Sequence, residues 1–163
     1  MQVHVKQQGS SSLVYIDETG FDTNPTCVYG WSKRGQRIFG DQQGKRTQRE
    51  SLVAARRNHI QDFIAPMLYT GCLNAIGFVS WLSRYCLPEL DQPSLLIMDN
   101  APIHPKGLIQ ELVEAAGHQV LFLPKYSPDF NKIEHDFSAL KRARMYADPE
   151  TSIDEIIRNY CAA

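Results

Sequence analysis

What this chain lacks narrows its class before any motif is read. No apolar run approaches the roughly 20 residues needed to span a bilayer, and Met1 to Ser12 holds no apolar stretch of the kind found in a signal peptide. The four cysteines, Cys27, Cys72, Cys86 and Cys161, form no C-x-x-C pair and have no histidine at zinc-finger spacing. Free thiols in a reducing cytoplasm are the expectation, with no membrane partner. Charge is nearly balanced at a formal −1, so bulk electrostatics selects no partner. Internal repeats and low-complexity segments are also missing.

What remains is a globular composition. With 163 residues, 43% hydrophobic and 21% charged, the chain can bury a core of its own and fits one domain. Residues 1–11 are polar and end in a serine run, which suggests a lead-in or linker remnant, so the expected domain is 12–163. Charge is unevenly spread. Lys33, Arg34, Arg37, Lys45, Arg46, Arg49, Arg56 and Arg57 face only Asp41 and Glu50 within one stretch, a local basic excess that suits a polyanion or a solvated face.

Hydrophobic patterning predicts strands at Leu13 to Asp17, around Cys27 to Trp31, and around Ser51 to Arg56, with glycines marking the turns between them. Asn74 reads as the cap of a helix with apolar Ala75, Phe78, Val79, Leu82, Tyr85 and Cys86, stopped by Pro88. A strand at Leu95 to Met98, a helix from about Lys106 to Gly117, and a fifth strand from Gln119 to Leu123 follow. Ile133, Phe137 and Leu140 mark another helix, with Lys141, Arg142 and Arg144 on its outer face. Ser152-x-x-Glu155 opens the last one as a capping box. A meander followed by strand, helix, strand, helix predicts an α/β fold, a mixed five-stranded sheet with helices on both faces.

Three carboxylates stand out in this frame. Asp17 and Asp99 each follow an apolar strand, and Glu134 opens a helix after the proline-containing loop Tyr126-Ser127-Pro128-Asp129-Phe130-Asn131; 34 residues separate Asp99 from Glu134. A lone Asp at a strand end is usually a turn or capping residue. Three in matching contexts could converge on hard divalent cations, which prefer oxygen ligands and assist phosphoryl transfer.

The segments Tyr15-Ile16-Asp17-Glu18-Thr19-Gly20-Phe21, Gly30-Trp31-Ser32-Lys33-Arg34-Gly35-Gln36, Ile97-Met98-Asp99-Asn100-Ala101-Pro102-Ile103-His104 and Leu123-Pro124 through Glu134 occur in this order. Together they resemble the catalytic domain of mariner-like DDE transposases, in the branch found in bacterial insertion sequences, over about Leu13 to Tyr146. The resemblance implies a ribonuclease H-like fold, cut-and-paste DNA cleavage and strand transfer with two magnesium or manganese ions, and Asp17, Asp99 and Glu134 as the catalytic, metal-binding acids. It implies double-stranded DNA, transposon ends and target, as partner. That family usually has Pro where this chain has Lys132, often an aromatic at the position of Asp136, and a helix-turn-helix region ahead of the first acid. A catalytic half is therefore expected, with a separately encoded helix-turn-helix protein and a second copy of the chain as further candidate partners.

Around the acids, Asn100 and His104 can hydrogen-bond a ligand, a water or the scissile phosphate; a loop-ordering Asn and a solvated His are the plainer readings. Glu18 should point to the opposite sheet face from Asp17, and His135 and Asp136 should be peripheral because neighbours on a helix do not share a face. The basic cluster from Lys33 to Arg57, with Lys125, Lys141 and Arg142, supplies candidate phosphate contacts. Trp31 reads as core or as a stacking platform. Two further functional readings remain: a metal-dependent nuclease or resolvase of the same fold that cuts without joining, and an inactive DNA-binding or dimerising remnant. A receiver-like domain does not account for residues 126–134.

Overall fold

The computed structural model describes residues 12–22, 33–36, 49–58, 62–124, 130–148 and 150–162. Its strands are β1 (Leu13–Phe21), β2 (Glu50–Arg57), β3 (Phe63–Thr70), β4 (Leu95–Met98) and β5 (Gln119–Phe122), and its helices α1 (Ala75–Trp81), α2 (Lys106–Ala115), α3 (Ile133–Tyr146) and α4 (Ile153–Ala162). The strands form one sheet in the order β3-β2-β1-β4-β5. The β1–β2 and β2–β3 pairs are antiparallel, and the β1–β4 and β4–β5 pairs are parallel. The mixed five-stranded sheet expected from the sequence is present.

Alternation along the strands divides the core into two layers. Leu13, Tyr15, Leu52, Ala54, Leu95 and Ile97 pack on the face covered by Ile133, Phe137 and Leu140 of α3 and Ile153, Ile156 and Ile157 of α4. Val14, Ile16, Val53, Ala55, Leu96 and Met98 pack on the other face, under Phe78 and Trp81 of α1 and Ile109 and Val113 of α2. Both faces of β4 are thus covered, which is why Leu95-Leu96-Ile97-Met98 is uninterruptedly apolar. On the same logic an odd-numbered residue of β1 beyond Tyr15 faces α3, and an even-numbered one faces α1 and α2.

Local signals explain most of the boundaries. The Asn74 side chain accepts from the Gly77 amide at 2.8 Å and caps α1. Gly117, at φ +84°, closes α2 in the left-handed conformation that glycine takes without strain. The Glu155 amide donates to Ser152 Oγ at 3.2 Å, as the capping box requires.

Three boundaries differ from expectation. β1 continues four residues past Asp17, because Glu18, Thr19, Gly20 and Phe21 keep pairing with Val53 through Glu50 of β2; Asp17 lies inside a strand and not at its end. The helix expected from Asn74 to Cys86 changes at Leu82 into a π turn over Leu82–Cys86 and a 3₁₀ turn over Leu87–Glu89, which leaves Tyr85 exposed although Cys86 is buried. β3 has no counterpart among the expected strands; its Pro66 falls where the β2–β3 register shifts, on a strand at the edge of the sheet, the two places a strand tolerates proline. The strand expected around Cys27 to Trp31, and Trp31 itself, lie outside the described residues, as does the 1–11 lead-in.

Cys72, Cys86 and Cys161 are free thiols, and burial pushes the Cys86 thiol up to about 12. Among the described residues no helix is long and apolar enough to cross a membrane.

Candidate active site

The parallel pairing of β1 with β4 sets Leu13 beside Leu95, Val14 beside Leu96 and Tyr15 beside Ile97. Carried on by two residues, the same register brings Asp99, just past the end of β4, next to Asp17. Both are odd-numbered on their strands, so both belong to the α3 face. The cross-strand neighbour of Asp17 on β2 is Ala54, a buried member of the core on that face. Glu134 is in the first turn of α3, the helix packed on the same face, where a carboxylate also suits the helix dipole.

The charges of Asp99 and Glu134 both act on Asp17. The Asp17 carboxyl is pushed up to about 7, first by burial and then by the charges of Asp99, Glu134 and Glu18, while a 2.8 Å bond from the Glu18 amide works in the opposite direction. Asp99 is held below the ordinary carboxylate range, chiefly by His104, with the Ala101 amide adding a 3.3 Å bond to Oδ1. Among the described residues no three His, Cys, Asp or Glu side chains are close enough together to form a metal cage. The donor set still fits a hard divalent ion: it is all carboxylate, and Asp17 carries a burial and repulsion cost that a cation would relieve.

His104 is buried, Nδ1 lies 3.2 Å from Asp99 Oδ1, and Nε2 lies 3.7 Å from Glu18 Oε1. Neither nitrogen makes a well-aligned hydrogen bond, so these are ionic approaches. Burial draws the imidazole down, but the two carboxylates outweigh it and push it up to about 9. Glu18 faces α1 and α2 as alternation requires, and Oε2 accepts from the Tyr69 hydroxyl at 2.7 Å. The approach of His104 to Asp99 fits the sequence reading of His104 as a partner of a ligand, whereas its contact with Glu18, 86 positions away, had no signal in the sequence. Asn100 is half-buried, and its Oδ1 has no partner among the described residues.

Asn131 was also missed. Its Nδ2 is 3.4 Å from the carbonyl of Ile16, the residue before Asp17, so it ties the approach of α3 to β1. Asp136 is buried and not peripheral: Oδ2 lies 2.7 Å from Arg56 Nε, and Oδ1 accepts from the Tyr160 hydroxyl at 2.6 Å. His135 is exposed, as expected.

The basic candidates divide. Lys33, Arg34, Arg49, Lys141 and Arg142 are exposed. Arg56 and Arg57, also expected among the phosphate contacts, have internal partners. Arg56 is turned inward to Asp136, and Arg57 pairs with Asp62 at 2.8 Å and donates to the Glu89 carbonyl at 2.6 Å. Arg37, Lys45, Arg46 and Lys125 lie outside the described residues.

A family model described as DDE superfamily endonuclease matches residues 12–157. The chain belongs to the DDE superfamily endonucleases. Solved structures agree on the fold, which is the ribonuclease H-like one. The Mos1 strand transfer complex matches with a TM-score of 0.78 at 20% identity, covering 99% of this chain and 50% of that one. The Mos1 mariner paired-end complex with Mn gives 0.76 at 21%, covering 99% and 51%, and a companion complex contains Mg. The isolated catalytic domain of Mos1 mariner transposase gives 0.66 at 19%, covering 99% and 75%. This DDE chain thus spans about half the length of the Mos1 chains in those complexes. No curated protein matches it.

Proposed function

We propose that this DDE chain is the catalytic domain of a mariner-like, insertion-sequence transposase that cuts a DNA strand and transfers the resulting 3′ end to a target. The carrying observation is the β1–β4 register, which runs Asp17 and Asp99 side by side on the face covered by α3, the helix that bears Glu134. Further support comes from the Mos1 chains, which share the fold and whose complexes contain transposon ends, Mn or Mg.

Asp17, Asp99 and Glu134 would hold two magnesium ions, with manganese as a substitute. Bound there, the ions would help activate the attacking oxygen and stabilise the leaving one. Each residue has a distinct task. Asp17, inside the central strand, would be the ligand held in place by the sheet itself. Asp99 sits in a loop and takes its orientation from His104 and the Ala101 amide. Glu134 is delivered by α3. The exposed cations Lys33, Arg34, Arg49, Lys141 and Arg142, with Arg37, Lys45, Arg46 and Lys125, would take the DNA backbone, whose negative charge is indifferent to sequence.

The test uses labelled duplexes from the ends of the element that encodes the chain, blunt and pre-cleaved, with Mg²⁺ and a target plasmid. Cleavage of the first and joining of the second are expected, and both should vanish in Asp99→Asn. Cleavage without joining would leave a nuclease or resolvase; magnesium-dependent cleavage by Asp99→Asn would refute the site.

A further inference from the structure

We propose that Asp136 is a positioning residue for Glu134, acting through a buried ion pair with Arg56 that fixes the first turn of α3 on the sheet. The proposal rests on the reading of Glu134 as a metal-binding acid. Glu134 is exposed, so its place relative to Asp17 is set by how that turn is anchored.

Three polar ties anchor it. Asn131 Nδ2 approaches the Ile16 carbonyl on β1 at 3.4 Å, and Lys132 Nζ donates to Asn58 Oδ1, just past β2, at 2.9 Å. Asp136 makes the buried one, with only 4% of its surface exposed and Oδ2 2.7 Å from Arg56 Nε. Residues two apart on a helix point to nearly opposite sides, so Glu134 can face outward while Asp136 enters the core from the same turn. Arg56 is the cross-strand neighbour of Tyr15, two residues before Asp17. A short path therefore runs from Asp17 along β1, across to Arg56, through Asp136 and into α3.

The chemistry of the pair gives it this role. Phe63, the cross-strand neighbour of Arg56, packs on Phe137 and Tyr160 with ring centroids 6.2 and 5.6 Å apart, apolar contacts that are non-directional. A buried charge pair does not slide, because separating it leaves an uncompensated charge. The Tyr160 hydroxyl, 2.6 Å from Oδ1, holds the carboxylate from α4.

Asp136→Asn keeps the volume and the acceptor for Tyr160 but removes the charge facing Arg56. The experiment titrates Mn²⁺ calorimetrically into the metal-free chain, then measures duplex cleavage. Wild-type should bind Mn²⁺. Asp136→Asn should bind it about tenfold more weakly, and lose kcat with little change in KM for DNA, the signature of a displaced ligand. If Asp136→Asn does not fold, Tyr160→Phe, which leaves the ion pair whole, reads the same coupling as a smaller loss in the same direction. A folded variant with wild-type Mn²⁺ affinity and kcat would overturn the proposal. A wild-type chain that binds no Mn²⁺ would instead overturn the metal-site reading on which it rests.

Discussion

His104 Nδ1 stands 3.2 Å from Asp99 Oδ1, although the imidazole is buried beside Phe78 at a ring distance of 4.3 Å and Asp99 is exposed. The ring is fixed and the carboxylate is not, so the histidine orients the aspartate. Removing such an outer partner typically costs 10–100-fold in metal affinity or activity. His104→Ala should therefore weaken Mn²⁺ binding by about that factor. Calorimetric titration checks it, and unchanged affinity would reduce His104 to a packing residue.

Asp17 and Asp99 should respond differently to neutralisation. Asp17 is disfavoured as an anion by burial and by its acidic neighbours, whereas Asp99 has His104 as compensation. Both Asn variants should lose cleavage. In chelator at about pH 8, Asp17→Asn should melt higher than wild-type, by about 2–4 °C for each kcal/mol of strain relieved, while Asp99→Asn should not. Scanning calorimetry of the two variants decides it.

The parts of this fold legible in the sequence are those whose signals are local. Leu95 to Met98, the α2 stripe ending at Gly117, and the Ser152 cap each carry their pattern within a dozen residues. Asp17 and Asp99 stand out in the sequence as acids after apolar runs, though the strand of Asp17 continues past it, and Glu134 stands out by its segment. β3 was not, because Pro66 contradicts a strand unless the strand is known to be an edge. Nor was the inward turn of Arg56, since its reason, Asp136, lies 80 positions further along and only the packing of α3 on β2 brings the two together. A basic cluster in sequence says nothing about which of its members the fold will spend on internal pairs.

Ala65, next to Pro66, has φ +49°. This left-handed conformation costs a non-glycine residue about 1–2 kcal/mol. Its carbonyl accepts from the buried Trp81 Nε1 at 2.8 Å, which holds it in place. Ala65→Gly should relieve the strain and raise the unfolding free energy by up to about 1 kcal/mol after the entropy of glycine is subtracted, read as a higher urea midpoint. A lower midpoint would mean the strain is negligible.

His118 gives the fold a weakness to acid. It is buried, and Nδ1 accepts from the Ser94 amide at 3.2 Å, a bond only the neutral ring can make through that atom. Burial holds the folded ring below its ordinary 6.5. The unfolded chain therefore takes the proton first: stability is fully present above about pH 6.5 and is lost as pH falls towards the folded value. His118→Asn offers an oxygen acceptor that does not titrate, and its urea midpoint should fall less than that of wild-type between about pH 7.5 and 5.

Salt dependence can separate the cations that meet DNA from those the fold has taken. Each Lys or Arg on a phosphate releases counterions, and its removal lowers the slope of log K against log salt by about 1. Arg49 is exposed beside Gly20, two residues beyond Glu18 on the strand that carries Asp17. Arg57 belongs to the same basic run but is committed to Asp62 and the Glu89 carbonyl. Arg49→Gln should therefore flatten the slope, and Arg57→Gln should leave it unchanged while lowering the melting temperature. Binding of a short duplex across a salt series, with both variants compared at a temperature where each is folded, measures this. Equal slope changes would mean that the Arg57 pairs open on DNA, and that the whole run from Lys33 to Arg57 acts as one surface.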